Sequence, residues 1–562
     1  MTVPAGTGPP EAGAAPGPLR VRWLGRVAYR DAHALQRALH ARGTGAHLLL
    51  LEHPPVYTLG VRARPEHVLV PAERLGAELV PADRGGDVTY HGPGQLVGYP
   101  VVPVPVAPGA TTAYVHAVEQ VVIDALGDLG LPGATRVPGR PGVWVGGAKV
   151  CAVGVRLTRG RSMHGFALNV DPDLSRFAVI VPCGIGDRPV TSLAAQGLRS
   201  GMREVVEAVA ARAGERWGAG GVERQDVAWP DEGRGVEALA GLAPATRGRD
   251  EPVRLLGRLA AAGVDASTSV PLTQRKPAWL RAPAVMGPAF RALGAQLRER
   301  RLTTVCEEAG CPNIFECWAE GTATFMLNGE RCTRACGFCL VDTRRPAPLD
   351  PDEPERVADA VAAMALDHAV LTAVARDDLP DGGAGAFAAT VTAVRRRCPG
   401  TAIEVLIPDC KGDPAALETI FAAHPDVVNH NLETVARLQR AVRPSASYAR
   451  SLAVLARAAG AGLVAKSGLI LGMGERDEEV LGALADLRAV GVEIITLGQY
   501  LRPTARHLPV ARWVHPDDFA RLAEAGTAMG FAHVQASPLT RSSYHAGRAA
   551  RAADLAGPRQ GR

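Results

Sequence analysis

The sequence has few aromatic residues and no long apolar run. Phe, Trp and Tyr make up 4% of its 562 residues. No stretch reaches the roughly 18 apolar residues that a membrane-spanning helix needs. The first residues, MTVPAGTGPPEAGAAPGPLR, have neither the basic start nor the apolar stretch of a secretory signal peptide. We therefore expect a cytoplasmic protein without a membrane segment, in which residues 1–19 form a disordered tail.

Dense positive charge is missing as well. The 62 Lys and Arg residues stand against 57 Asp and Glu residues, which leaves a net charge of +5 over the whole chain. No block of Lys and Arg marks a phosphate-binding surface, so we expect no nucleic-acid partner. A P-loop that would hold the phosphates of ATP is also absent from the sequence.

Six of the ten cysteines are crowded into residues 306–339. They form two triplets, with the spacings C-x4-C-x5-C and C-x3-C-x2-C. A disulfide framework would spread its cysteines through a small secreted domain. Crowding in a long chain predicts metal binding in a reducing compartment instead.

The chain is too long for a single hydrophobic core, so we expect two or more domains. Residues 20–218 alternate helical and strand-like patterns, and a Gly-Gly pair at 146 and 147 predicts a hairpin. Residues 219–274 are rich in Gly, Ala, Pro and charge, which predicts a linker with short helical pieces. Within 275–562, seven strand candidates alternate with helical stretches. We therefore predict an α/β protein: a mixed-sheet domain, a linker, and a partial or complete parallel (β/α) barrel.

Each cysteine triplet is one ligand short of a closed four-ligand site. Three thiolates can hold one cubane iron–sulfur cluster and leave its fourth iron open to another ligand. Gly337 lets the second triplet turn tightly between its ligands. From the residues alone, a structural zinc site that uses all six thiols stays open as an alternative.

The second triplet, CTRACGFC at 332–339, resembles the signature of radical S-adenosylmethionine enzymes. The resemblance implies a 4Fe-4S cluster on Cys332, Cys336 and Cys339, whose open iron binds S-adenosylmethionine. In that family one electron cleaves S-adenosylmethionine to a radical that removes hydrogen from unactivated carbon.

The first triplet, CEEAGCPNIFECW at 306–318, together with RSSYHA at 541–546, resembles the lipoyl synthase family from about residue 275 onward. In that family a second, auxiliary 4Fe-4S cluster is consumed as the source of sulfur. The implied ligands are Cys306, Cys311, Cys317 and Ser543, with Ser542 as the alternative to Ser543. A serine oxygen is a poor ligand in soft iron–sulfur chemistry, which suits an iron that must leave.

Other segments resemble the strand ends that bind S-adenosylmethionine in this family. They imply cofactor or substrate contacts by Thr372, Asp377, Asp378, Glu404, Asn429, Glu433 and Lys466. Taken singly, each of these side chains could equally cap a loop or form a surface pair.

The N-terminal half carries a glycine-rich stretch, RGGDVTYHGPGQ at 84–95, followed by GGAK, HGFALNV and PCG. Glycines suit a close approach of the backbone to a ligand. Cys183 lies on the PCG bend, and a thiolate nucleophile needs a neighbour that lowers its pKa. Lys149, His91 and His164 are the candidates.

In this order the motifs resemble lipoyl(octanoyl) transferase over residues 20–200, a family with the biotin/lipoate-ligase-like fold. The resemblance implies that Cys183 takes octanoyl from acyl carrier protein as a thioester and that Lys149 is its acid/base partner. The implied acyl pocket consists of Arg84, Gly85, Gly86, His91, Gly92, His164 and Gly165. Cys151 lies two residues from Lys149 on the same strand face, and we assign it to packing.

The two resemblances describe consecutive steps of protein lipoylation. They imply octanoyl-acyl carrier protein, lipoyl domains of 2-oxoacid dehydrogenase E2 subunits, the glycine cleavage H protein, and a ferredoxin or flavodoxin electron donor as partners. Two other interpretations of the function remain open. The N-terminal half could be an ATP-dependent lipoate or biotin ligase, or the cysteines could form a non-catalytic metal scaffold.

Overall fold

The structure, a computed structural model, describes residues 17–43, 45–229, 251–281 and 323–555, with residues 291, 295, 302, 304, 311 and 313–319 between the last two ranges. Most of the predicted tail, residues 1–16, lies outside the described residues. The chain divides into two compact units, Met1–Trp229 and Pro230–Arg562. No helix among the described residues is long and apolar enough to cross a membrane.

The N-terminal unit contains one large and one small β-sheet. Its strands are β1 (Leu19–Arg26), β2 (Ala46–Glu52), β3 (Val56–Leu59), β4 (Glu78–Pro81), β5 (Val88–His91), β6 (Gln95–Val101), β7 (Thr135–Val137), β8 (Arg140–Val145), β9 (Ala148–Thr158), β10 (Arg161–Asn169) and β11 (Val222–Asp226). The large sheet has the order β11-β1-β2-β6-β10-β9-β8-β7, and β4-β3-β5 form the small one. Strands β11, β1 and β2 run parallel, whereas the rest of the large sheet is antiparallel. This confirms the predicted mixed-sheet domain.

Three helices belong to this unit: α1 (Tyr29–Arg42), α2 (Ala110–Asp128) and α3 (Met202–Trp217). Apolar residues four positions apart, such as Val118 and Val122 on α2, join a core with buried strand residues such as Leu48. The predicted Gly-Gly hairpin is present, since Val145 pairs with Ala148 across the turn. The hairpin places Lys149 at the start of β9.

The C-terminal unit is a sheet of seven parallel strands in chain order. They are β12 (Ala323–Leu327), β13 (His368–Ala373), β14 (Ala402–Leu406), β15 (Val427–Asn429), β16 (Val464–Leu471), β17 (Ile494–Gln499) and β18 (His533–Ala536). Each falls on a predicted strand segment. Within the described residues β12 and β18 are the two edges of the sheet, so the predicted barrel is a partial one.

Helices alternate with these strands and also flank them. They are α4 (Glu251–Ala261), α5 (Ile314–Ala319), α6 (Glu353–Ala363), α7 (Ala384–Arg397), α8 (Pro414–Phe421), α9 (Gln439–Val442), α10 (Tyr448–Gly460), α11 (Asp477–Val490), α12 (Pro516–Ala528) and α13 (Ala546–Leu555). Apolar residues of α13 pack on Val427, Val464 and Ile494, the first residues of β15, β16 and β17. Helix α13 therefore covers the N-terminal ends of the strands and leaves the C-terminal ends for a site.

The structure differs from the predicted linker at both of its ends. Strand β11 lies within 219–274 yet pairs with β1. Helix α4 also lies there, and the segment after it joins the C-terminal unit, where the Val270 amide donates to the Val510 carbonyl over 2.8 Å. Residues 230–250 lie outside the described residues.

Candidate functional site

In the N-terminal unit the sequence motifs meet around one cavity of about 780 Å³. Its inner wall consists of buried residues of β5, β6, β9 and β10, and its mouth consists of exposed residues of α2 and of the β7–β8 turn. The predicted residues that line it are Arg84, Gly85, Gly86, His91, Lys149, His164, Gly165 and Cys183. Four separate motifs thus contribute to a single site.

Gly92 is an exception among the predicted pocket residues, because it does not line this cavity. A β-carbon at Gly92 would collide with the hydroxyl of Tyr90. The glycine is therefore required by close packing in the turn between β5 and β6, and the prediction of a ligand contact is corrected.

Cys183 lies in a tight turn over Pro182–Gly184 and is half-buried. Its φ of 56° is in the left-handed region, which non-glycine residues rarely adopt. The turn is closed by the Gly184 amide, which donates to the Val181 carbonyl over 3.0 Å. A strained backbone at a nucleophile is a common feature of functional sites.

Lys149 is only 6% exposed and lies on the same cavity as Cys183. Its backbone is fixed by bonds of 2.9 Å to the Pro189 carbonyl and from the Thr191 amide. The Nζ atom lies 4.9 Å from the centroid of the Trp144 ring. No carboxylate of the described residues pairs with it, so the amino group is available to a ligand in the cavity.

Arg84 places a fixed positive charge beside Cys183. Its Nη2 donates to the Thr58 carbonyl over 2.7 Å and to Thr58 Oγ1 over 2.8 Å. Burial lowers the pKa of this guanidinium, but an arginine stays charged under all ordinary conditions. The charge therefore favours an anion in the cavity.

The two histidines of the cavity are engaged elsewhere. His91 Nδ1 lies 2.8 Å from Gln95 Oε1, and His164 Nε2 lies 2.7 Å from Asp83 Oδ1. Burial lowers the pKa of both imidazoles. Neither forms a hydrogen bond to Cys183, and both have other side-chain partners, whereas Lys149 has no carboxylate partner among the described residues.

Cys151, the competing thiol, is fully buried in the apolar core and does not line the cavity. Burial raises the pKa of its thiol well above the ordinary range. Such a cysteine is inert as a nucleophile, which agrees with its assignment to packing.

His33, Asp83 and His164 bring three possible metal-ligand atoms within 4.8 Å of one another. Asp83 Oδ1 accepts from His33 over 3.0 Å and from His164 over 2.7 Å, while Arg156 pairs with the other carboxylate oxygen. The guanidinium already neutralises the carboxylate. In addition, His164 Nδ1 is buried without a partner, whereas a ligating histidine usually donates its second nitrogen. We interpret the group as a hydrogen-bonded triad.

In the C-terminal unit, Cys332, Cys336 and Cys339 lie in the loop after β12. The loop is fixed by the Cys332 amide, which donates to the Asp342 carbonyl over 2.8 Å, and by the Gly337 amide, which donates to the Val442 carbonyl over 2.9 Å. Burial raises the pKa of Cys336 to about 11 and that of Cys339 to about 12. A metal site must therefore supply the positive charge that converts these thiols to thiolates.

The three thiols are not part of the compact group of possible metal ligands found among the described residues, which consists of His33, Asp83 and His164. The nearby His507 is occupied, since its Nε2 lies 2.9 Å from the Cys339 carbonyl. Three cysteine ligands with no fourth side chain agree with a 4Fe-4S cluster that has one open iron, which the motif predicts.

Arg334 lies between the first two cysteines of the loop. It is a site residue that the sequence motifs did not predict. Its guanidinium forms two bonds to Asp377, of 2.7 and 2.8 Å, and one of 2.6 Å to Asp409. Asp377 follows β13, and Asp409 follows β14. The two ion pairs of Arg334 therefore connect the cysteine loop to the C-terminal ends of both strands. In this structure Asp377 thus binds the loop, and Asp378 pairs with Arg376 over 2.9 Å.

Three other predicted cofactor contacts form a buried network on adjacent strands. Lys466 Nζ lies 2.8 and 2.9 Å from the two oxygens of Glu404, and the Asn429 amide donates to Glu404 over 3.0 Å. Burial alone would raise the pKa of Glu404, but Lys466 and His368 together hold it at about 2. The Glu404 carboxylate is therefore ionised throughout the physiological range.

Thr372 and Glu433 complete the predicted set. Thr372 Oγ1 donates to the Leu406 carbonyl over 3.0 Å. Glu433 has a φ of 67°, burial raises its pKa, and its charge acts on Cys336 and Cys339. Contacts of the seven residues with S-adenosylmethionine stay predictions.

The segment that carries Cys311 and Cys317 contacts the RSSY segment and the residues just before it. The Asn313 side chain donates to the Leu539 carbonyl over 2.7 Å, and the Tyr544 hydroxyl lies 3.2 Å from the Glu316 carboxylate. Arg541 is half-buried and its charge acts on Cys311. Cys306 lies outside the described residues, and ligation of a cluster by Cys311, Cys317 and Ser542 or Ser543 stays a prediction.

Two family models match the chain. The model of the lipoyl protein ligase A/B catalytic domain matches residues 28–213, and that of the radical SAM superfamily matches residues 328–487. The first range contains the cavity with Cys183, and the second contains the loop of Cys332, Cys336 and Cys339.

Lipoyl synthases are similar in sequence over about half of the chain. The lipoyl synthase of Mycobacterium avium (strain 104) is 55% identical over 275 residues, which are 49% of this chain and 90% of that protein. The chain belongs to the lipoyl synthase family. The lipoyl synthase of Rubrobacter xylanophilus is 56% identical over 273 residues, 48% of this chain and 85% of that protein.

Membership of the lipoyl synthase family implies 4Fe-4S chemistry and S-adenosylmethionine, and it supports sulfur insertion by the C-terminal unit. The N-terminal unit adds a ligase/transferase-type catalytic domain. The chain is therefore an enzyme of protein lipoylation.

Solved structures show weaker likenesses. Lipoate-protein ligase A bound with ATP is 19% identical with a TM-score of 0.32, and the match covers 37% of this chain and 88% of that one. Methylornithine synthase is 15% identical with a TM-score of 0.27, covering 40% and 63%.

We predict that Lys466→Met lowers the free energy of unfolding of the C-terminal unit by about 3–5 kcal/mol at neutral pH, because it leaves Glu404 buried without its cation. The pKa of Glu404 is depressed in the folded state. The pair therefore stabilises the fold above the unfolded pKa of about 4.3, and this contribution disappears as the pH falls toward 2.

Denaturant unfolding at several pH values tests this, with the exposed Lys276→Met as the matched control. The deficit of Lys466→Met should shrink as the medium becomes acidic. Equal stability of wild type and Lys466→Met at neutral pH would contradict the expected role of the pair.

Proposed function

We propose that the chain is a bifunctional lipoylation enzyme. Its N-terminal unit transfers octanoyl from octanoyl-acyl carrier protein to a lysine of a lipoyl domain, through a thioester on Cys183. Its C-terminal unit then inserts sulfur at C6 and C8 of that octanoyl chain. The observation that carries the first half is the shared cavity that Cys183, Lys149 and Arg84 all line, with the charge of Arg84 acting on Cys183.

In the first step the Cys183 sulfur attacks the thioester carbonyl of the donor. Lys149, in its neutral form, takes the thiol proton and returns it to the departing carrier thiolate. One C–S bond forms and another breaks, so the step is close to isoenergetic. Arg84 supplies positive charge near the carbonyl oxygen as that oxygen gains negative charge.

In the second step the amine of the lipoyl-domain lysine attacks the Cys183 thioester. The proton lost by the amine goes to the Cys183 thiolate by way of Lys149. An amide replaces a thioester, which drives the reaction forward without ATP. The absence of a P-loop from the sequence is in keeping with this.

The competing ATP-dependent ligase shares the same catalytic-domain model, so the fold does not separate the two activities. A ligase activates a free acid as an adenylate and does not need a nucleophilic thiol. The position of Cys183 in a strained turn on the cavity favours the transferase.

In the C-terminal unit we assign Cys332, Cys336 and Cys339 to the cluster that binds S-adenosylmethionine. Bound there, these groups supply the one-electron chemistry that activates unreactive C–H bonds. Arg334 holds the loop in place through Asp377 and Asp409. Thr372, Glu404, Asn429, Glu433 and Lys466 lie on the strands or loops that we expect to contact cofactor or substrate.

The auxiliary 4Fe-4S cluster is the sulfur-donating substrate of this reaction. We assign it to Cys306, Cys311, Cys317 and Ser543. Support comes from the contacts that join the segment of Cys311 and Cys317 to the RSSY segment. The electron donor is a ferredoxin or flavodoxin, and the acceptors are lipoyl domains of E2 subunits and the H protein.

We predict that Cys183→Ser abolishes octanoyl transfer and that Lys149→Met slows it by about 10²–10⁴-fold, the usual contribution of general acid–base catalysis. Transfer is read from the intact mass of a lipoyl-domain acceptor, with octanoyl-acyl carrier protein as donor. Cys151→Ala is the matched control and should transfer at the wild-type rate.

The same assay distinguishes the proposed transferase from an ATP-dependent ligase. If Cys183→Ser modifies the acceptor as fast as wild type when ATP and free octanoate replace the thioester donor, the N-terminal unit is an adenylating ligase. A fast Cys183→Ser with the thioester donor would refute the covalent mechanism outright.

We also predict that the reconstituted protein holds about eight iron atoms, and that Cys306/Cys311/Cys317→Ala holds about four, since each triplet carries one cubane cluster. Iron and sulfide are counted after anaerobic reconstitution. About four iron atoms in both proteins would remove the sulfur source, and zinc alone would support a non-catalytic scaffold.

A further inference from the structure

A buried carboxylate–imidazole pair, Asp87 and His67, lies beside the turn that carries Cys183. His67 Nδ1 donates to Asp87 Oδ2 over 2.6 Å. The two side chains are 18% and 9% exposed, respectively. Neither residue is part of the acyl-transfer steps derived above.

Asp87 ties two segments of the cavity wall together. Its Oδ1 accepts from the amide of Val88 over 2.7 Å and from that of Arg64 over 3.4 Å, while its Oδ2 accepts from His67. One carboxylate therefore fixes the glycine-rich loop before β5 to the segment of residues 64–67.

The segment around His67 in turn holds the chain that leads into Cys183. The Val181 amide donates to the His67 carbonyl over 2.8 Å, and the Leu69 amide donates to the Val179 carbonyl over 2.9 Å. Val68 and Ile180 form an antiparallel bridge between these bonds. The position of the backbone immediately before Cys183 therefore depends on the position of His67.

Asp87 also touches the residue after the nucleophile. A β-carbon at Gly184 would lie 2.9 Å from Asp87 Oδ2, so the carboxylate is packed against the glycine backbone. The pair consequently contacts the turn on both sides of Cys183. The left-handed φ of 56° at Cys183 requires such support, because an unsupported cysteine prefers other backbone conformations.

We propose that Asp87 and His67 are positioning residues that hold the Cys183 turn in its strained conformation, with the thiol directed to the cavity. The role rests on the proposed acyl transfer, but the conformation itself can be measured without an acyl donor. Without the pair the turn relaxes, and the Cys183 sulfur moves away from Arg84 and Lys149, the cavity residues that act on it in the proposed transfer.

Four variants of the full-length chain test the proposal. Asp87→Asn keeps the size of the side chain but loses an acceptor, and His67→Ala removes the donor. His67→Asn is the rescue variant, because its side-chain amide reaches nearly the position of Nδ1. The exposed neighbour Glu66→Gln is the control.

The first measurement is the rate of Cys183 alkylation by iodoacetamide at neutral pH, read from the mass of the Cys183 peptide. The second is the maximal rate of Cys183 acylation by octanoyl-acyl carrier protein, with the half-saturating donor concentration. A displacement of the nucleophile by about 1 Å can slow a reaction about 100-fold. We expect Asp87→Asn and His67→Ala to lose about 10- to 100-fold in both rates, with little change in half-saturation.

His67→Asn and Glu66→Gln should stay within about threefold of wild type, and thermal unfolding confirms that each variant is folded. The proposal is overturned if His67→Ala alkylates at the wild-type rate, or if His67→Asn is as slow as His67→Ala. A wild-type protein that forms no acyl-enzyme would instead refute the proposed transferase. The alkylation rates would still decide the role of the pair.

Discussion

The free-energy cost of burying a positive charge constrains both units of this chain. The sequence contains four lysines among 62 basic residues, and two of the four, Lys149 and Lys466, are buried. A buried ammonium needs a partner or a pKa shift. Lys466 has such a partner in Glu404, and the resulting pair connects two strands of the barrel. Lys149 has no carboxylate partner among the described residues, and its amino group lies near the Trp144 ring on a cavity that a substrate can enter.

Arginines extend the same contrast. Arg334 forms ion pairs with two carboxylates and so fixes the cysteine loop. Arg84, in contrast, donates hydrogen bonds only to Thr58 and to backbone oxygens. A guanidinium with neutral partners keeps its full field in the cavity. An arginine paired with carboxylates, such as Arg334, therefore supports the structure. An arginine without a carboxylate partner, such as Arg84, is expected where an anion or an oxyanion binds. Cys183 and His164, both with positive φ, line the cavity of Arg84.

The sequence predicts elements whose signal is local. Strands β12 to β17 are predictable as mostly apolar runs, because most of their residues are buried. Strand β18 is half-buried and gives a weaker pattern. The Gly146–Gly147 hairpin is predictable because few other residues suit its turn. Strand β11 is not predicted, because VERQD is a polar edge strand. Helix α4 agrees with the short helical pieces expected in the linker, but its docking on the C-terminal unit depends on residues distant in sequence.

Partners distant in the chain were harder to predict. Arg334 pairs with residues 43 and 75 positions away, and a carboxylate at a strand end looks the same whether it faces a cofactor or an arginine. The sequence therefore does not reveal that Asp377 binds Arg334, and its contact with a cofactor stays a prediction. The need for glycine at position 92 beside the Tyr90 ring appears only in three dimensions. The roles of the cysteines and Lys149 are predicted from chemistry and spacing that are more specific.

In the proposed function, one chain performs two consecutive reactions on one acceptor. The most direct measurement follows the intact mass of a lipoyl domain that is incubated with the reconstituted protein, octanoyl-acyl carrier protein, S-adenosylmethionine and a reductant. The account predicts that the octanoyl adduct appears first and is replaced by the lipoyl adduct, and that omitting S-adenosylmethionine stops the reaction at octanoyl. An octanoyl adduct that never gains sulfur, or an unmodified acceptor, would contradict it.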